Sequence, residues 1–387
     1  MSSIEEPPPT TSHAETKNAR AARVRSSQLV LKLTLHFRHT HAPESTIRIP
    51  SIQNTVKAIK KEFARDLPGC YNGFTSRGGN SVAEAMLSVR TAPCPAGWRM
   101  STDLRQGHRV SEPTWKRYLA DYNEGLGLVY ERLVLNDYLD RLLKNYHVQT
   151  VLEAPLFGMA GVSGINSVHL AKQGCDVTLV DVNAERLDGI QRIWGELGLR
   201  CRFVLREDLT HLPFDDDSFD LAWEWAGLWY LPDAAALLGE LGRVSRHLVF
   251  VAMPNRLQVG YWLRKVLVDK EFFRTVDERW VNMRLIKSVL ENRNLRIVED
   301  GVLDIPPWPD TVMPAAELLR RLGIRSKRLE RQFSGDDWQW STMDYYLGKR
   351  PELKDIIDGY SFLERIPLPW RLKVIWAHHR YVLGSKR

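Results

Sequence analysis

The sequence predicts an α/β fold: a parallel sheet with helices on both faces. Three observations predict it. From Thr150 onward, short apolar runs alternate with amphipathic helical stretches. Strands buried on both faces read as such runs, and parallel neighbours need a crossover helix between them. Acids stand at the ends of three successive runs, Glu153, Asp181 and Asp208. A glycine-bearing loop, APLFGMAGVSG, leads from the first run toward the first helix.

The elements follow in order. Residues 1–28 are polar without an apolar period and read as disordered. QLVLKLTLHF alternates as a strand, and SIQNTVKAIKKEFARDL has a short helical face. Repeated Gly and Pro then break regularity up to about residue 105. Segment 1–105 is therefore expected to be a largely irregular extension. Leu128, Leu135, Tyr138, Leu139, Leu142 and Tyr146 share a helical face. TVLEA is a strand, and INSVHLAKQG is a helix stopped by Gly174. DVTLVD is a strand and NAERLDGIQRIWGELG a helix. CRFVLRED and SFDLAWEW are strands, PDAAALLGELGRVSR is a helix, and HLVFVAMP is the fifth strand. LRIVEDGVLDI makes a sixth, and HHRYVLGSKR a seventh. The expected layout is a core over 110–303, a helical, aromatic-rich cap over 304–370, and an edge strand within 371–387.

Composition sets the class. The chain has 387 residues, 44% of them hydrophobic, and a formal charge of +7. This is enough to bury a core, and the modest excess of charge does not favour nucleic acid. No run of about 18 apolar residues is present, and no basic-then-apolar leader opens the sequence. Cys70, Cys94, Cys175 and Cys201 are scattered, which fits neither a zinc knuckle nor a disulfide framework. A cytoplasmic location is expected. No cluster of metal ligands is visible in the sequence, and no metal is expected. The basic C-terminal stretch PLPWRLKVIWAHHRYVLGSKR suits contact with a membrane face.

The strand-end acids point to a ligand. In open parallel sheets, ligands bind at the carboxyl ends of the strands. A carboxylate ending the second strand can accept both ribose hydroxyls. Glycines let backbone come close, and a helix start offers free N–H groups. That much fits NAD as well as an adenosyl ligand. Two features separate them. An acid, Glu153, comes first, where a pyrophosphate would need glycine and a helix N-terminus; a carboxylate suits an ammonium or sulfonium instead. The second is REDLTHLPFDDDSFDLAWEWAGLWYL, an acid, a short Leu-Pro-Phe loop, then a strand opening Phe-Asp-Leu.

With these motifs in place, residues about 149–256 resemble the core of a class I S-adenosylmethionine-dependent methyltransferase of the small-molecule type. The resemblance implies a Rossmann-like seven-stranded sheet and S-adenosyl-L-methionine as cofactor. It implies that Glu153 and the loop glycines Gly158, Gly161 and Gly164 contact the methionine part. Asp181 would bind the ribose hydroxyls, Val182 would pack on the adenine, and Asp208 with Leu209 would meet the adenine edge. Phe219 and Asp220 would open the fourth strand. The family usually writes Asp-x-Gly-x-Gly-x-Gly; here the loop is longer and Pro155 takes the first glycine's place. A histidine that many relatives carry after the fourth strand is replaced by Trp229 and Tyr230. Glu224 and Tyr230 are the candidate catalytic residues, and an aromatic-rich cap suits an apolar or aromatic acceptor. Two alternatives stand beside this reading: a catalytically silent methyltransferase-like module that binds a partner or RNA, and an NAD-dependent oxidoreductase.

Overall fold

The computed structural model describes residues 113–156, 161–308 and 340–386. The strand and helix read before residue 68, the extension to 105, Gly158, and most of the cap (309–339) lie outside the described residues.

Seven strands form one sheet: β1 Thr150–Glu153, β2 Asp176–Asp181, β3 Arg202–Leu205, β4 Phe219–Trp225, β5 Ser245–Pro254, β6 Leu295–Leu303 and β7 His379–Lys386. Their order across the sheet is β3-β2-β1-β4-β5-β7-β6. The first five are parallel, and β7 runs antiparallel to both β5 and β6. The carboxyl ends of β1–β6 and the start of β7 therefore share one edge. The order reverses between β1 and β4, the crevice where such sheets bind ligands.

The last strand is not the edge strand that its position in the chain suggests. β7 is buried over Tyr381–Leu383 and pairs on both sides, whereas β6 carries Arg296, Glu299 and Asp300 and takes the edge. A run apolar on both faces is stable only with neighbours on both sides, and charges on an edge block further pairing. β7 also begins at His379; the residues before it include a short helix.

Helices flank the sheet. They are α1 Pro113–Asp121, α2 Leu126–Asn145, α3 Val168–Lys172, α4 Ala184–Glu196, α5 Ala234–Val244, α6 Val259–Leu263, α7 Phe272–Thr275, α8 Met283–Glu291, α9 Thr342–Tyr346, α10 Leu353–Tyr360, α11 Phe362–Arg365 and α12 Trp370–Lys373. Asn183 caps α4 and Asp233 caps α5, each accepting a backbone N–H two or three residues into its helix. One apolar layer joins α2, α3 and α4 to one face of the sheet, with Trp223, Trp225 and Phe250 in it. The other joins α5 and α8 to the opposite face and contains Trp229. The described part of the cap packs beside α2: the Tyr346 hydroxyl donates to Asn136 at 3.0 Å, and Lys354 pairs with Asp137 at 3.1 Å. Among the described residues no helix is long and apolar enough to cross a membrane.

Candidate functional site

The ends of β1 and β2 carry the first two predicted residues. Glu153 is fully buried. Ser167 donates to one of its carboxyl oxygens at 2.6 Å and Asn166 to the other at 3.1 Å. Burial raises its pKa to about 7 against the pull of those hydrogen bonds. Asp181 is also fully buried. It is closed by a fork: Arg186 Nε donates to Oδ2 at 2.7 Å and Nη2 to Oδ1 at 2.5 Å. The Asn183 N–H donates to the same carboxylate at 2.9 Å. Arg186 sits in the first turn of α4, which brings its side chain back over the end of β2. Val182 is half-buried against the α5 layer.

The loop after β1 is held from two sides. Gly164 adopts φ +73°, and a Cβ there would lie 2.6 Å from Ile190 on α4. Its carbonyl accepts the Trp194 indole N–H at 2.8 Å. Gly164 therefore serves the close packing of loop on helix. Gly161, at φ +90°, is pressed by Glu124 and Arg132, within 2.9 and 3.0 Å of where its Cβ would stand. Glu124 accepts the Val162 N–H at 2.9 Å and the Thr342 N–H at 3.1 Å. Pro155 lies against Gly227, so the altered first turn contacts the loop after β4.

Asp208 follows β3, fully exposed, and accepts the Thr210 N–H at 2.8 Å. Hydrogen bonds from Thr210 hold its carboxyl below the usual range. Leu209 is buried in the α5 layer. Asp220 lies at the opposite edge of the sheet. It accepts the Gln149 and Thr150 N–H groups at 2.9 and 3.0 Å, pinning the start of β1. Its role is structural.

At the end of β4 the side chains alternate as a strand requires. Trp223 and Trp225 join one layer, and Glu224 lies between them in sequence. Glu224 is fully buried, and one of its oxygens accepts the Gly227 N–H at 2.8 Å. Burial raises its pKa to about 8. Tyr230 packs edge-on against Trp229 and Phe272, with ring centroids 5.6 and 6.3 Å apart. Burial pushes its phenol up.

The fold also assembles residues that sequence reasoning did not single out as a group. Glu124 and Arg132 brace the expected cofactor loop, and Arg186 closes over Asp181. At the same carboxyl edge, on the β5–β7 side, Glu131 of α2, Asp304 just past β6 and His379 at the start of β7 meet. These three come from distant stretches of the chain, so no local spacing in the sequence signals them.

Residues 159–247 match a family model described as a methyltransferase domain. A demethylmenaquinone methyltransferase of Clavibacter sepedonicus is 35% identical over 112 residues, 29% of this chain and 44% of that protein. The chain thus spans less than half the length of the curated relative it matches. Among solved structures, a magnesium protoporphyrin IX methyltransferase from Synechocystis PCC 6803 with bound SAH is 10% identical, at a TM-score of 0.39, covering 67% of this chain and 84% of that one. The YcgJ protein from Bacillus subtilis is 16% identical, at a TM-score of 0.37, covering 65% and 98%. Residues 159–247, at the centre of the sheet, are thus similar to a methyltransferase domain.

Proposed function

We propose that the chain is an S-adenosylmethionine-dependent methyltransferase acting on a small apolar or aromatic acceptor. One observation carries the reading. Glu153 and Asp181 end two neighbouring parallel strands, with a glycine-bearing loop after the first, and Asp181 lies within residues 159–247, which match a methyltransferase domain model. The donor set fits the cofactor in kind. Asp181 would accept the ribose hydroxyls once Arg186 turns aside. Val182 would pack on the adenine, and Asp208 with Leu209 would meet its edge. Glu153, Gly158, Gly161 and Gly164 would form the methionine end. When bound, the cofactor supplies a methyl group on a sulfonium that is already a good leaving group. The chain's own work is then orientation and exclusion of water. Glu224 holds its proton up to about pH 8, so at neutral pH it would donate a hydrogen bond rather than act as a base. Tyr230 is the second candidate beside the acceptor.

The acceptor class is supported by the Clavibacter relative, whose named substrate, demethylmenaquinone, is an apolar quinone. It is also supported by an apolar surface near the C-terminus. Leu368, Leu372, Ile375 and Val259 are about half exposed, beside the exposed Arg371. Exposed apolar side chains interleaved with a cation suit an anionic membrane surface, where an apolar acceptor would be drawn. The described cysteines, Cys175 and Cys201, are free thiols, which suits a reducing, cytoplasmic location.

A second reading, a silent module, is favoured by one observation: both oxygens of Asp181 are taken by Arg186. Calorimetric titration with S-adenosylmethionine, S-adenosylhomocysteine and NAD separates the readings. The methyltransferase reading expects micromolar binding of the two adenosyl ligands, none of NAD, and loss of binding in Asp181→Ala. A folded protein that binds neither adenosyl ligand would be the silent module.

A further inference from the structure

We propose that Glu131, Asp304 and His379 form a binding site for a divalent first-row cation of the Zn2+ or Mn2+ kind. One ligand atom from each side chain lies within 4.8 Å of the other two. The set is two carboxylates and one imidazole, a mixture suited to borderline divalent metals. Asp304 Oδ2 stands 3.2 Å from Nδ1 of His379. Two ligands bound to one ion at about 2.1 Å, in tetrahedral or octahedral array, lie about 3.0–3.4 Å apart.

A second observation points to a cation. Asp304 is 1% exposed, and its Oδ1 has no hydrogen-bond partner among the described residues. A buried carboxylate oxygen without a donor is costly, and an ion bound by both oxygens of Asp304 would satisfy it. The surroundings resemble the supporting groups of built metal sites, where hydrogen bonds orient the ligands. The Trp225 indole N–H donates to Glu131 at 2.7 Å. His378 Nδ1 lies 3.2 Å from Asp304 Oδ2, and the His378 backbone N–H donates to the Asp304 carbonyl at 2.7 Å. The Trp225 ring lies 4.6 Å from the His379 ring, walling the site with apolar surface. Three protein ligands leave coordination positions open, the pattern of a reactive rather than a purely structural site. The inference stands independently of methyl transfer, since its readout is metal binding.

The test uses the full chain, stripped with a chelator, dialysed, and titrated with ZnCl2 or MnCl2 alone. One equivalent should bind with micromolar affinity or better and raise the melting temperature. Glu131→Gln and Asp304→Asn should each weaken binding on the order of tenfold or more. His379→Ala should change the visible absorption of the Co2+ form. His211→Ala, at an exposed histidine, should bind as the parent does. Melting curves without metal identify any variant that fails to fold, and the near-isosteric Glu131→Gln then carries the comparison. The proposal is overturned if the folded parent takes up no saturable equivalent, or if the folded variants bind as tightly as it does.

Discussion

Arg186 governs what Asp181 is free to do. A bidentate guanidinium–carboxylate fork is among the stronger polar contacts, and here both partners are buried. Removing one member of a buried pair leaves the other charge uncompensated, at a cost on the order of 3 kcal/mol. Arg186→Ala should therefore lower the melting temperature while raising affinity for S-adenosylmethionine several-fold, because the cofactor no longer competes with the fork. Arg186→Lys keeps the charge without the fork and should fall between. Titration calorimetry beside thermal melting checks both; an affinity that falls in Arg186→Ala would sink the competition. At this scale the sequence was half legible. A strand ending on an acid marks Asp181, because the apolar run stops there. The partner was not legible, because an arginine in the first turn of a helix usually points to solvent. Only the sharp turn through Val182 and Asn183 folds it back.

The tip of β4 shows the same balance among elements. Strand alternation alone places Trp223 and Trp225 on the face opposite Glu224. It does not say that Glu224 would be sealed, since that depends on the loop to Gly227 closing over it. A carboxyl whose folded pKa lies above its unfolded value stabilises the fold fully only below the unfolded value. That contribution is lost as pH rises through the folded value. Glu224, raised to about 8, and Glu153, raised to about 7, therefore both weaken the fold as pH rises from 5 to 8. Glu224→Gln should remove part of this slope, with a gain on the order of 2 kcal/mol at pH 8.5 and little change at pH 5. Thermal melts across that range check it; an unchanged slope would mean that Glu224 ionises freely. The strands were legible from their apolar runs. The place of the seventh was not, because a C-terminal strand reads alike at an edge and in the interior. Deciding it needs the charges of β6 compared with the buried run of β7.

For the molecule as a whole, the exposed Leu368, Leu372, Ile375 and Val259 mark one face as different from an ordinary solvated surface. Val259 and Ile375 are joined by a backbone hydrogen bond, so the patch is continuous across two segments. The full chain should sediment with vesicles containing anionic lipid, less so at high salt, and Leu372→Asp should abolish it. Equal recovery of parent and variant with vesicles would remove the membrane reading and leave the patch as plain surface. The position of β7 carries a different consequence, for biosynthesis. The strand that fills the gap between β5 and β6 leaves the ribosome after the other six described strands. Until then both neighbours present unpaired backbone to solvent. A nascent chain stalled before residue 379 would hold a nearly complete sheet with an open slot, a natural client for holding chaperones until translation delivers the missing piece.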